Sequence, residues 1–325
     1  MSLNLFYKHP SNTDLYWIRT DGNQWAGNGK ILIELPTHPP VHTPQSSGTP
    51  ATALSPAASP EGLLMFYKAG NSNDLMWSWL GVGELWSGDE TVHDPKGRIR
   101  PPKSDHSPAA AVYRNHLFLI YKDENSNDIC AANMDFNGVW SWGIPIADID
   151  KSSVSPKTNI SPSVAVYQDK LYIVYKGQSS TDIYFTICDA TYWYGDNKIA
   201  SQPGAIKPKS SSNPSLVVFN ALLYMIYKGP NNNDLNYAYF DGYVWHGNSE
   251  IYKQPGGIRP QSDSNPGLAV FQGRLHMVYK SPHNNDLNIA YFDGTTWSGN
   301  TEIWKEPPGL KPLSDHSPNA VVYLN

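Results

Sequence analysis

The stretch from Leu223 to Trp245, LYMIYKGPNNNDLNYAYFDGYVW, runs from an apolar segment ending in Tyr-Lys, through a polar turn closed by Asp, to a second apolar segment and a Trp just beyond Asp-Gly. Read outward from it, the same order recurs along the chain. The Tyr-Lys pair appears six times, as Tyr7-Lys8, Tyr67-Lys68, Tyr121-Lys122, Tyr175-Lys176, Tyr227-Lys228 and Tyr279-Lys280. An Asp follows each Lys by six residues, at Asp14, Asp74, Asp128, Asp182, Asp234 and Asp286. A Trp follows each Asp by eleven or twelve, at Trp25, Trp86, Trp140, Trp193, Trp245 and Trp297. Upstream, Pro50, Pro108, Pro162, Pro214, Pro266 and Pro318 open apolar runs at intervals of 58, 54, 52, 52 and 52 residues. Self-similarity at such a period signals a repeat architecture.

Within one copy, Ala109 to Tyr113 and Leu117 to Tyr121 read as strands split by Arg114-Asn115. Ile129 to Met134 and Val139 to Trp142 read as two more, around Phe136-Asn137-Gly138. Four short antiparallel strands per repeat, with no competing helical period, predict an all-β, six-bladed β-propeller of four-stranded antiparallel blades. The whole chain, 1–325, is then one domain, with blades at 50–100, 108–155, 162–208, 214–260 and 266–312. The first blade is composite, built from 1–40 plus 318–325. The run Ser317 to Asn325 matches a first strand and stops at its turn, whereas Ser2 to Lys8 begins at the second strand. Joining them removes two unpaired sheet edges and closes the ring.

Composition agrees with a globular β-rich chain, with 40% hydrophobic residues, Trp 11, Tyr 20 and only 16% charged residues. The net charge of -5 is spread without a basic run, which argues against nucleic acid or an anionic membrane surface as partner. No apolar stretch approaches the roughly 20 residues needed to span a bilayer, so membrane insertion is not expected. The start, Met1-Ser2-Leu3-Asn4-Leu5, has no signal-peptide pattern, which predicts a cytoplasmic or non-classically secreted protein. Cys130 and Cys188 read as buried free thiols, and no metal or cofactor is expected. Walker, HExxH, CxxC and GxSxG motifs are absent. Asn159-Ile160-Ser161 fits a glycosylation acceptor but is followed by Pro162.

In a four-stranded blade, the link to the next blade shares a face with the turn between the second and third strands. Both are polar here. Links end in Ser104-Asp105-His106-Ser107-Pro108, Ser262-Asp263-Ser264-Asn265-Pro266, Ser314-Asp315-His316-Ser317-Pro318 and forms such as Ser210-Ser211-Ser212-Asn213-Pro214. Asp105, His106, Asp263, Asp315 and His316 are therefore expected at the mouth of the central channel, on a face suited to binding. The repeated Lys and Asp, represented by Lys8, Lys122 and Lys280, are expected to meet within their own repeat as structural pairs, or to form a fork for a sugar hydroxyl. The six repeated Trp residues are expected to pack between blades. Aromatic residues that break the repeat, Trp17, Trp77 and Trp304 with Trp79 and Trp142, are the candidates for stacking on a ligand.

In this layout the chain resembles the β-propeller lectins, especially the six-bladed fungal fruit-body fucose-binding lectins and more loosely the tachylectin and bacterial propeller lectins. The resemblance lies in Leu223 to Lys228, Asp234 to Tyr237 and Asp241-Gly242-Tyr243-Val244-Trp245, and in their repetition over the whole chain. It implies carbohydrate binding at several inter-blade pockets, strengthened by multivalency on glycans or glycoproteins. The fucose lectins carry an Arg and a Glu in each site, and the corresponding strands here show no repeated Arg or Glu. Asp293-Gly294-Thr295-Thr296-Trp297 is also similar to the end of a sialidase Asp box, without its leading Ser-x-Asp. The reading therefore favours a binding protein over an enzyme. Its alternatives are a hydrolase or lyase with one site at the channel mouth, or a protein-interaction scaffold.

Overall fold

The computed structural model describes residues 1–33, 42–56, 62–81, 85–94, 96–97, 99–149, 152–204 and 206–323. Six four-stranded antiparallel sheets form a ring, giving a six-bladed β-propeller. In the fifth blade the strands are Ser215–Phe219, Leu222–Lys228, Leu235–Phe240 and Trp245–Glu250, from the channel outward. The second strand of each blade is the most buried, because it has sheet neighbours on both sides and other blades on both faces.

The local chemistry fits these strands. Asn220 and Ala221, at φ 48° and 59°, form a two-residue hairpin between the first and second strands of blade 5. Two consecutive left-handed residues match the right-handed twist of the strands they join. Arg114-Asn115 and Gln168-Asp169 repeat this in blades 3 and 4. Each outer strand carries a bulge shortly after its Trp. In five blades the motif is Trp-x-Gly followed by Asn or Asp, and Asn28, Asp89, Asp196, Asn248 and Asn300 all have positive φ. Tyr7, Tyr67, Tyr175, Tyr227 and Tyr279, the tyrosines of the Tyr-Lys pairs, donate their hydroxyls to these side chains. Blade 3 departs, placing Trp142 at φ 68° and Gly143 where the others have Asn or Asp.

The composite first blade is present. Asn319–Tyr323 pairs antiparallel with Ser2–Lys8, from Ser2↔Tyr323 to Phe6↔Asn319. The proposed contributions of 34–40, Leu324 and Asn325 lie outside the described residues. The core is divided into six clusters, each between neighbouring blades. Trp140 of blade 3, for instance, packs edge-on against Phe66 and Trp77 of blade 2. All six repeated Trp side chains are buried in this way, as the sequence led us to expect. Links also bridge blades through the backbone: Trp245 N donates to Pro203 O, Trp297 N to Pro255 O and Trp25 N to Pro307 O. Among the described residues no helix is long and apolar enough to cross a membrane.

Candidate binding site at the channel mouth

Each link enters the next blade through the pattern Ser/Thr-x-x-x-Pro. Its first residue, Ser46, Ser104, Thr158, Ser210, Ser262 or Ser314, is fully buried. The hydroxyl accepts a hydrogen bond from the backbone N–H two residues on, as in His106 N to Ser104 Oγ at 3.1 Å and His316 N to Ser314 Oγ at 3.2 Å. This local turn fixes the link at the head of the inner strand. The second residue is then presented to the lysine that ends the second strand.

The resulting pairs are Lys8–Asp315 at 2.6 Å, Lys122–Asp105 at 2.9 Å and Lys280–Asp263 at 2.7 Å. At the same position in the other blades, Lys68 donates to Ser47, Lys176 to Asn159 and Lys228 to Ser211, at 2.9, 2.8 and 2.8 Å. The expected pairing of Lys with Asp inside one repeat is thus corrected. The repeated Asp turns to cations of the outer strand or link: Asp14 to Lys30, Asp74 to Lys103, Asp128 to Lys157, Asp182 to Lys198, Asp234 to Arg259 and Asp286 to Lys311. The Lys closes a ring at the channel, and the Asp ties the turn to the link at larger radius. The shared face of links and middle turns follows from the same contacts, with bridges such as Asp128↔Lys157 and Asp234↔Gln261.

At the channel mouth lies a cavity of about 650 Å³. Asp105, His106, Asp263, Asp315 and His316 all line it, together with Ser107, Ser161, Asn213, Asn265 and other small polar residues. Lys8, Lys122 and Lys280 stand behind the three aspartates, buried. Two Asp-His pairs extend the ion pairs, with His106 Nδ1 2.8 Å from Asp105 Oδ1 and His316 Nδ1 2.6 Å from Asp315 Oδ1. Burial pushes the carboxyl groups of Asp105 and Asp315 upward, but hydrogen bonds from the neighbouring Lys and His bring both below the usual carboxylate range. The arrangement offers fixed donors and acceptors around an open cavity.

A carboxylate held low in the folded state adds stability above its unfolded pKa of about 3.9, and that stability is lost as pH falls through the folded value. Asp315→Asn should therefore lower the melting temperature at pH 7, and the gap to the parent should narrow as pH falls below about 4. Blade 4, with Asn159 beside Lys176, shows that the backbone accepts this residue. Thermal unfolding from pH 2 to 7 measures the effect; a gap constant with pH would refute the coupling.

Of the five candidate aromatics, Trp17, Trp77 and Trp304 lie elsewhere. Trp17 stacks on Phe6 at 6.3 Å, donates from Nε1 to Asn4 Oδ1 at 3.0 Å and lies under Arg19. Trp77 stacks on Phe66 and meets Trp79 and Trp140 in the core between blades 2 and 3. Trp304 is 37% exposed, with Lys305 and Lys311 at 5.4 and 5.5 Å from its ring centre. None of the three lines the channel cavity. A second cavity of about 450 Å³ lies between blades 1 and 2, bordered by Thr13, His42, Gln45, Asn71 and Asp89. The sequence reading did not single out the variable second residue of each link, Ser47, Asn159 or Ser211, although its fixed distance from the following Pro marks it. Cys130 and Cys188 are buried free thiols, and burial pushes both above the usual thiol range.

No family model matches the chain, and a search of the curated proteins by sequence found no match. Among solved structures, it is similar to the lectin of Aleuria aurantia in complex with α-methyl-L-fucoside, with 13% identity, a TM-score of 0.65, and coverage of 95% of this chain and 92% of that one. A second structure of the A. aurantia lectin, described as a six-bladed β-propeller with a novel fucose recognition mode, gives 14% identity, a TM-score of 0.64 and the same coverage, 95% and 92%. A Hadza microbial sialidase matches at 12% identity and a TM-score of 0.54, over 84% of this chain and 58% of its own. These likenesses are of fold, and the first two share the ring size seen here.

Proposed function

We propose that this protein is a lectin-like carbohydrate-binding protein, with several related sites on the link face of the propeller and glycans or glycoproteins as its partners. The observation that carries the reading is the six-fold repetition of one polar station, a buried or half-buried lysine and a link residue of Asp, Asn or Ser, around the cavity of about 650 Å³. Repeated, rigidly held donors and acceptors suit repeated hydroxyls. The A. aurantia lectin, a fucose-recognising propeller of the same ring size, is consistent with this use of the fold. Asp105, His106, Asp263, Asp315 and His316 are the residues assigned to ligand at the mouth. Lys8, Lys122 and Lys280 position them, and exposed Trp304 is assigned to stacking at the rim.

A glycan array followed by titration calorimetry tests the reading. Binding of a glycan class with more than one site per chain is expected. Replacing both Asp315 and His316 by Ala should lower avidity by roughly tenfold and leave binding measurable, because other stations remain. Complete loss on that one double replacement, or binding of a single non-sugar small molecule in place of glycans, would overturn it.

A further inference from the structure

The six lysines that end the second strands face only three carboxylates at their link positions, Asp105, Asp263 and Asp315. The imbalance is greatest where blades 4 and 5 meet. Lys176, 9% exposed, donates to Asn159 Oδ1 at 2.8 Å and to Gly177 O at 3.3 Å. Lys228 donates to Ser211 Oγ at 2.8 Å and to Gly229 O at 3.4 Å. The acidic side chains nearest to them in sequence are engaged elsewhere, Asp182 with Lys198 and Asp234 with Arg259. Burial draws both lysines below the ordinary lysine range, and for Lys228 it outweighs the attraction of Asp263 in blade 6. A chain of net charge -5 thus holds a local arc of the opposite sign.

A second observation comes from the cavity wall. Ser211, the partner of Lys228, lines the channel mouth with Ser212, and Ser212 Oγ is buried without a hydrogen-bond partner among the described residues. Such a hydroxyl costs free energy until a partner meets it. Ser161, Ser163 and Asn213 border the same arc and add polar surface without adding charge. A ligand oxygen carrying negative charge supplies both missing partners, the counter-charge and the acceptor.

We propose that the arc of the channel mouth between blades 4 and 5 binds the carboxylate of an acidic sugar, with Lys228 and Lys176 as its counter-charge and Ser212 as its hydroxyl donor. The proposal rests on the lectin reading and narrows its ligand class. Blades 1, 3 and 6, where Asp315, Asp105 and Asp263 balance their lysines, are left for neutral hydroxyls.

The test compares galacturonate with galactose, which differ at C6 by a carboxylate, by calorimetry at low salt on the full chain. Galacturonate is expected to bind about tenfold more tightly, with the advantage falling as salt rises. The double variant Asn159→Asp, Ser211→Asp installs the carboxylates that blades 1, 3 and 6 already carry, and should erase the preference for galacturonate over galactose. Its melting temperature, expected to equal or exceed the parent's, shows that it is folded. Equal affinity for the two sugars, or a preference that survives the double variant, overturns the inference and leaves the lectin reading standing. If sulfate alone displaces galacturonate with equal affinity, the sugar ring contributes nothing and the assignment to a sugar falls. If neither these sugars nor any arrayed glycan binds, both readings fall together.

Discussion

Deleting residues 319–325 should abolish cooperative folding of the whole ring. The inner strand Asn319–Tyr323 supplies every ladder partner on one side of Ser2–Lys8, a strand whose residues are all buried. Ala320 and Val322 pack into the cluster shared with blade 6, and Val321 and Tyr323 into the cluster shared with blade 2. Hydrogen bonds worth about 1 kcal/mol each and apolar side chains worth about 1.5–3 kcal/mol each are lost together. The sum is of the same order as the total stability of a domain, roughly 5–15 kcal/mol. Circular dichroism melts of the truncated chain should show no sigmoidal transition near that of the parent. Restoring the strand as a synthetic peptide in excess should recover one. A truncated chain that melts cooperatively within a few degrees of the parent would show that the closing strand is dispensable.

Trp297→Ala should be the most damaging single replacement among the aromatic residues tested. The side chain is 1% exposed, stacks on Phe292 with centroids 4.8 Å apart and meets Tyr237 of blade 5 edge-on at 6.4 Å. Its backbone also receives the link, through the bond from Trp297 N to Pro255 O. Gly256 follows that proline at φ 108°, and a Cβ there would run into Trp297 O, so the link lies close against the Trp297 backbone. The cavity left by a Trp to Ala change in a core costs about 3–5 kcal/mol. Trp304→Ala provides the contrast, because that ring is partly open to solvent and should change stability by no more than about 0.5 kcal/mol. Chemical denaturation of both variants measures the difference, and glycan affinity should move for Trp304→Ala while stability does not. Equal destabilisation by the two would contradict the separation between packing and stacking roles.

Much of the fold was legible because each copy announces its elements in the same order. Tyr-Lys marks the end of a second strand, Asp the start of a third, Trp the start of an outer strand and Pro the entry to an inner one. The composite first blade was legible from the two ends alone. The partners of the charged residues were not. Lys8 and Asp14 are six positions apart, but they flank a turn and point to different radii, so Lys8 finds Asp315 and Asp14 finds Lys30. Sequence proximity gave the wrong neighbour where curvature of the blade decided the right one. The outer-strand bulge is written in Trp-x-Gly-Asn/Asp, whose last side chain receives the hydroxyl of the Tyr before Lys in every blade but the third. Of the candidate site residues, the link positions gather at one cavity, whereas Trp17 and Trp77 break the repeat for packing reasons that composition does not reveal.

The buried hydroxyl that opens each link has a wider consequence. Because Ser46, Ser104, Thr158, Ser210, Ser262 and Ser314 hold the turn through their own side chains, the next residue contributes nothing to backbone geometry and is free to change. Three blades use Asp there, two use Ser and one uses Asn, all on the same frame. The propeller is thus a ring of six interchangeable positions whose charge can be rewritten one codon at a time without renegotiating the architecture.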